Sequence, residues 1–335
     1  MLIFLPDKSV INIFVTSIPR TPLFQAQFAR LFFVKILMKY TKAPKNTDEH
    51  IALLLERELD IPNTERARKY LINVGYYRLT GYMYHLQQNN QNHTFKQGTV
   101  FNDIILHYNF DKKLRFLIAE YLERIEVALR SRLTDNYSIN YGFYWYTDSD
   151  LFDDIAVYSN INNEVKEKFV DPSERFLKHF KSKYTSEDLP PSNMALEILS
   201  LGKLSRLYKG LKNGDEKRRI AEDFGIPSSI LSSWLIYLTN IRNICAHHGR
   251  LWNRGLTADR FTVPKRKKHE FKGSVPDDFN TTMYGVISIV HRILGSINAT
   301  NRFVVRIEEL LDEYPVINTN YMGFPDKWNE NATWK

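Results

Sequence analysis

From Thr47 onward, apolar residues recur at three- and four-residue steps, the period of helices that bury one face. The strongest run lies at 101–138, where Leu114, Leu117, Ile118, Tyr121, Leu122, Ile125, Leu129 and Leu133 form a single stripe. Glu126 and Arg130 stand on another face of that helix, at the i,i+4 spacing that allows pairing. Ahead of this run, Thr47 reads as the N-cap of a helix carrying Ile51, Leu54, Leu55 and Leu59. Ile61-Pro62-Asn63 breaks it, and Thr64 caps the next helix, with Ala67, Tyr70, Leu71 and Val74 on its apolar face. The tyrosine-dense stretch 75–87 fits either a closely packed helix or a short extended piece.

Downstream, 141–154 reads as a loop, followed by a helix over 160–184 interrupted near Asp171-Pro172. Leu189-Pro190-Pro191 is a break. Ser192 then caps a helix through Leu211 with Met194, Ile198, Leu201, Leu204 and Tyr208 facing inward. A short helix from Asp215 to Phe224 is stopped by Gly225. Pro227-Ser228 opens a helix whose core stripe is Leu231, Trp234, Leu238, Ile241 and Cys245. Its second stripe, Ile236, Asn240, Asn243 and His247, turns polar as the helix ends. Asp277 or Asp278 begins a helix with Met283, Ile287, Val290, Leu294 and Ile297, and 301–314 forms the last one. No solenoid repeat or regular series of alternating strands is present. The pattern predicts an all-α fold.

Composition supports that reading and narrows the chemistry. The 335 residues suffice for a substantial core, and with 14 Gly and 13 Pro the chain is poor in turn formers. The one cysteine, Cys245, rules out an internal disulfide framework and a multi-cysteine zinc site, and it falls on a core stripe as a small apolar residue. Cysteine usage fits a reducing compartment, so a cytoplasmic location is expected. The net charge of +8, with Lys265, Arg266, Lys267 and Lys268 in a row, favours polyanionic partners, RNA above all, although a solvated loop explains a basic run equally well. No run approaches the roughly 18 apolar residues needed to span a bilayer, so no membrane partner is expected. Residues 1–37 are apolar, contain Asp7 as their one acidic residue, and are broken by Pro6, Pro19 and Pro22. They lack the basic start of a secretory signal and read as an N-terminal extension, with Met38 an alternative start.

The candidate chemistry lies at the end of the helix opened by Pro227. Cleaving a phosphodiester by proton transfer needs a base, an acid for the leaving oxygen, and a cation on the phosphoryl oxygens. Histidine suits the proton transfers because its ordinary pKa is near 6.5, and arginine suits the phosphate because its planar fork binds two oxygens. Arg242 and His247 supply this pair. They lie about 140° apart on the helix, whereas Asn243 and His247 stack one turn apart, so Asn243 can orient the imidazole or bind substrate. His248 offers an alternative spacing; His247 is preferred because it shares a face with Asn243. Both residues also have ordinary explanations: a histidine at a helix C-terminus caps the negative dipole end, and an arginine beside a core stripe snorkels. His247-His248 makes a poor metal pair, since adjacent helical residues diverge and no other ligand cluster is nearby; no metal and no cofactor are expected.

The segment NIRNICAHHGRLWN at 240–253 resembles the R-N-x-x-x-H signature of HEPN-type ribonucleases, in the form found in their abortive-infection branch (Abi-like, AbiD/AbiF type). The likeness extends to KYTKAPKNTDEHIALL, to YLINVGYYRLTGYMYHL (with Tyr76, Tyr77, Arg78, Leu79, Gly81 and Tyr82), to ERIEVALRSRL at 123–133 and to EILSLGKLSRLYKGL at 197–211. It covers roughly residues 39–256 in order and does not include 1–37. The resemblance implies a HEPN-like helical bundle with additional helices. It also implies metal-independent RNA cleavage to a 2′,3′-cyclic phosphate and a 5′-hydroxyl, as a defence or toxin effector. In that reading Arg242 holds the phosphate, His247 is the acid or base and Asn243 supports it, with His248 as further support and Arg124, Glu126 and Arg130 lining the cleft. For Arg124, Glu126 and Arg130, salt-bridging on a helix surface is at least as good an account.

The family pattern further implies a homodimer with a shared cleft, and restraint by an antitoxin protein or an inhibitory RNA. The expected organisation is an extension at 1–37, a helical domain at 38–260, and a basic loop with C-terminal helices at 261–335 on the same domain. The competing reading is a non-catalytic RNA- or protein-binding module of the same fold.

Overall fold

A computed structural model describes residues 2–4, 10–12, 40–89, 91–256, 260–265, 271, 275–330 and 334. The chain forms two compact units, 1–53 and 54–335. In the first, β1 (Leu2–Phe4) pairs antiparallel with β2 (Val10–Asn12), Ile3 opposite Ile11. The rest of 1–37 lies outside the described residues. Here too helix α1 (Thr47–Glu56) begins. Its cap is Asn46, one residue before the expected Thr47: Asn46 Oδ1 accepts from Glu49 N–H at 2.9 Å while Glu49 Oε2 accepts from Asn46 N–H at 2.6 Å, the reciprocal bonds of a capping box.

The fold is all-α: among the described residues twelve α-helices and two short strand pairs are seen. In the second unit, α2 (Thr64–Asn73) is capped by Asn63, again one residue ahead of the expected threonine, through its bond from Arg66 N–H at 2.8 Å. The tyrosine-dense stretch is helical: α3 (Tyr76–Thr80) leads to a 3-10 turn at Tyr84–Leu86 and the hairpin β3 (Gln87–Asn89) with β4 (Thr94–Phe95).

Helix α4 (Phe101–Tyr141) is the axis of the unit and runs about 60 Å. All eight residues of its expected stripe are buried. Its first half buries more than a stripe, because Phe101, Ile104, Ile105, His107, Phe110, Asp111 and Arg115 are buried as well. Helices α5 (Ile155–Val170) and α6 (Arg175–Lys183) follow, broken as expected at Asp171-Pro172. The expected loop at 141–154 carries two 3-10 turns that bury Trp145 and Tyr146.

The helix expected from Ser192 through Leu211 is two helices, α7 (Ser192–Ala195) and α8 (Leu201–Gly210). The break between them exposes carbonyls that cations from other helices satisfy. Arg130 donates to Leu196 O at 3.0 Å and Leu199 O at 3.1 Å, and Lys168 donates to Ile198 O at 2.6 Å. These ligands lie far away in sequence, which is why local periodicity misses the break.

Then come α9 (Asp215–Asp223), stopped at Gly225 with φ +68°, and α10 (Ser228–Ala246). The last two are α11 (Met283–Ile297) and α12 (Phe303–Glu313). Helices α9, α10, α11 and α12 all pack against α4, and α10 also against α8. Ion pairs fasten α12 to α4: Arg306 to Glu120 at 2.5 Å, and Lys113 to Glu313. Among the described residues no helix is long and apolar enough to cross a membrane.

Candidate active site

Helix α10 buries Leu231, Trp234, Leu238, Ile241 and Cys245, the expected stripe, and this burial fixes which residues its last turn presents outward. Burial also pushes the Cys245 thiol up to about 12, which keeps it protonated and unreactive. The helix ends in a Schellman turn. Gly249 N–H reaches Ile244 O at 2.8 Å and His248 N–H reaches Cys245 O at 3.1 Å. His248 occupies the left-handed position, φ +55°, which costs a non-glycine residue roughly 1–2 kcal/mol. Glycine follows at 249 because a Cβ there would stand 3.1 Å from Ile244 Cγ2 and 3.3 Å from Ile244 O.

Three arginines and one buried carboxylate hold this turn. Arg78 donates to His248 O at 2.6 Å, Arg115 to Gly249 O at 3.4 Å, and Arg250 to Gly81 O. Asp111, wholly buried in α4, accepts from Leu251 N–H at 2.9 Å, Trp252 N–H at 2.7 Å and the Tyr82 hydroxyl at 2.6 Å, and pairs with Arg115. Sequence reasoning assigned no role to Arg78, Asp111 or Arg115. The available signal was an Asp–Arg pair at i,i+4 on the apolar side of a helix, where an ionised pair is rare without further partners.

Trp252 is buried against His85, His107, Tyr82 and Tyr321, the two histidine rings 4.6 and 4.7 Å away. The histidines, without usable spacing in sequence, meet in space: His85 Nε2 lies 3.0 Å from His107 Nε2, and His107 Nδ1 lies 2.7 Å from Asp103 O. A carbonyl requires a proton on His107 Nδ1. His107 Nε2 is therefore the bare acceptor in the neutral pair, and His85 Nε2 is the donor. A second proton has no place there, and burial drives His85 down to about 3 and lowers His107. Both shifts are depressions, so their stabilisation is complete above the unfolded histidine value near 6.5 and is lost as pH falls toward the folded values. For the partly buried His85 the loss should be roughly 1 kcal/mol by about pH 5, after screening. Urea melts from pH 7 to 5 test this. A His85→Gln variant, which keeps a donor toward His107, should show a flatter dependence; an unchanged slope would remove the pair as its origin.

In front of the turn lies a cleft of about 840 Å³, walled by the end of α2, Arg78, one face of α4, Arg242, Cys245 and Ala246 from α10, and His248 from the turn itself. Its charged residues are Arg78, Lys112, Arg115, Arg130 and Arg242 against Glu123 and Glu126. Arg78 and Arg115 are engaged in the turn. Glu126 and Arg130 do enter the cleft, but as an ion pair of 2.9 Å whose arginine also holds the α7–α8 break. Arg242 and Lys112 have no hydrogen bond or ion pair among the described residues, so their charge is free for a ligand. No group of three or more metal-ligating side chains occurs among the described residues.

The remaining candidates are placed differently. Arg242 is half-buried in the cleft wall, and His248 shares that wall. Asn243 and His247 are exposed at the helix end and do not line the cleft. Arg124 lies outside the cleft, paired with Glu120 at 3.1 Å and over the Tyr121 ring. Lys265 is exposed; Arg266, Lys267 and Lys268 lie outside the described residues.

Comparison with known proteins found no matching curated protein and no matching solved structure. A family model described as "Abi-like protein" matches residues 69–253, just over half of the chain. The matched region starts in α2 and ends one residue after Trp252, so it encloses the α10 turn, the residues that fasten it and the cleft.

Proposed function

The chain belongs to the Abi-like protein family, and from that premise we propose that it is an abortive-infection effector, a metal-independent endoribonuclease of the HEPN type acting on RNA in the cytoplasm. The observation that carries the reading is Arg242, a cation without a protein partner among the described residues, in the wall of a cleft that His248 also lines.

The 2′-hydroxyl oxygen attacks phosphorus as a base removes its proton. The P–O5′ bond breaks as an acid protonates the departing oxygen, leaving a 2′,3′-cyclic phosphate and a 5′-hydroxyl. Arg242 neutralises the non-bridging oxygens, His247 transfers a proton, and Asn243, one turn earlier, supports the imidazole. Lys265 and its basic neighbours would hold RNA outside the cleft. A homodimer would bring two such helix ends together, and exposed Phe116 and Val127 on the cleft wall are apolar surface that pairing could cover. An antitoxin protein or inhibitory RNA would restrain the enzyme.

The exposure of His247 outside the cleft lining favours a second reading, a module that binds RNA or protein without cutting. The two part in one experiment: labelled total RNA with purified wild type and His247→Ala, in EDTA, followed by end-group analysis. The ribonuclease reading expects cyclic phosphate ends from wild type and cutting at least ~100-fold slower from the variant. RNA retained but left intact by both proteins would establish the binding module instead, and equal cutting would place the chemistry elsewhere.

A further inference from the structure

The residue at the left-handed position of the α10 turn is a histidine, where a helix of this ending ordinarily carries glycine. Nothing in the backbone explains the choice. The position asks for φ > 0, which glycine supplies without strain, and the His248 ring is exposed and makes no hydrogen bond among the described residues. A strained non-glycine residue whose side chain neither packs nor pairs points to a use for that side chain. Its backbone is held from outside the turn. Arg78 holds the His248 carbonyl at 2.6 Å, and His248 lines the same cleft as Arg242.

We propose that His248 is the cleft-side proton-transfer group, catalytic alongside His247, and that Arg78 is its positioning residue. The proposal rests on the ribonuclease reading and completes it. Each chain then brings a phosphate-binding cation and two imidazoles to one helix end. One imidazole, neutral, takes the 2′-hydroxyl proton as the O2′–P bond forms. The other, protonated, delivers a proton to O5′ as the P–O5′ bond breaks, and the two exchange states before the next cycle.

The position offers an unusual control, because His248→Gly removes the imidazole and relieves the backbone together. The variant should melt no lower than wild type while its cleavage rate falls on the order of 10²–10⁴-fold. His248→Asn, which also tolerates the left-handed backbone, should be as inactive and as stable. Proton NMR of the histidine rings supplies a readout apart from cleavage. The signal lost in His248→Gly should shift in wild type when a 2′-deoxy oligonucleotide, which lacks the nucleophile, is added. Wild-type cutting with undiminished cutting by His248→Gly overturns this assignment and leaves the ribonuclease reading intact. Should wild type not cut, that reading falls, and an unshifted His248 signal then overturns the assignment as well.

Discussion

Asp111→Ala should destabilise the fold by about 3–5 kcal/mol, the cost typical of removing one partner from a buried ion pair. The carboxylate accepts from Tyr82, Arg115, Leu251 and Trp252, and alanine leaves all four donors without it in a site closed to water. The guanidinium is the most costly of them, because Arg115 is itself buried. Asp111→Asn should lose less. Its amide oxygen can still accept from Leu251 and Trp252 N–H, but its amino group faces Arg115 and Tyr82. Denaturant unfolding of the three proteins measures the difference. An alanine variant within about 1 kcal/mol of wild type would mean that this network does not hold the α10 turn. Since the network also fastens the segment after the histidines, cleavage by Asp111→Ala should fall even at temperatures where the variant is folded.

Arg242→Ala should behave in the opposite way, with little change in stability and a large change in chemistry. Arg242 has no protein partner among the described residues, so its removal should alter unfolding by no more than about 0.5 kcal/mol. RNA cleavage should drop by about 10²–10³-fold, the usual consequence of losing one donor to a developing phosphorane charge. Arg242→Lys should recover binding more than rate, because an ammonium keeps the charge but not the paired donors of the guanidinium. Rates and RNA affinities at two salt concentrations separate these effects. A fall in affinity with an unchanged rate at saturation would make Arg242 a binding residue only.

The two variants differ because their environments differ, and the sequence disclosed those environments unequally. The α10 stripe and its polar end are read from residues within one or two turns of each other, so Arg242 and the histidines could be singled out directly. The network around Asp111 joins that residue to backbone groups 140 and 141 positions later. No local pattern contains it. The same distinction explains smaller differences. Asn46 and Asn63 cap their helices in place of the adjacent threonines, since either residue type suits a cap and side-chain reach decides. The α7–α8 break depends on Arg130 and Lys168 from helices packed alongside.

By itself, then, the sequence determined the helical class, the long stripe of α4, the stops at Asp171-Pro172 and Gly225, and the arginine and histidines at the end of α10. Each follows from backbone preferences and from burial that repeats every three to four residues. Tertiary structure alone decided that Arg242 and His248 share a cleft while Asn243 and His247 stand outside it. It also decided that Arg78, Asp111 and Arg115 fix the turn, and that His85 and His107 share a single proton between their facing nitrogens around Trp252. These outcomes depend on which carbonyls and amides packing leaves without partners, and those groups must be satisfied by whatever side chains the fold brings within reach.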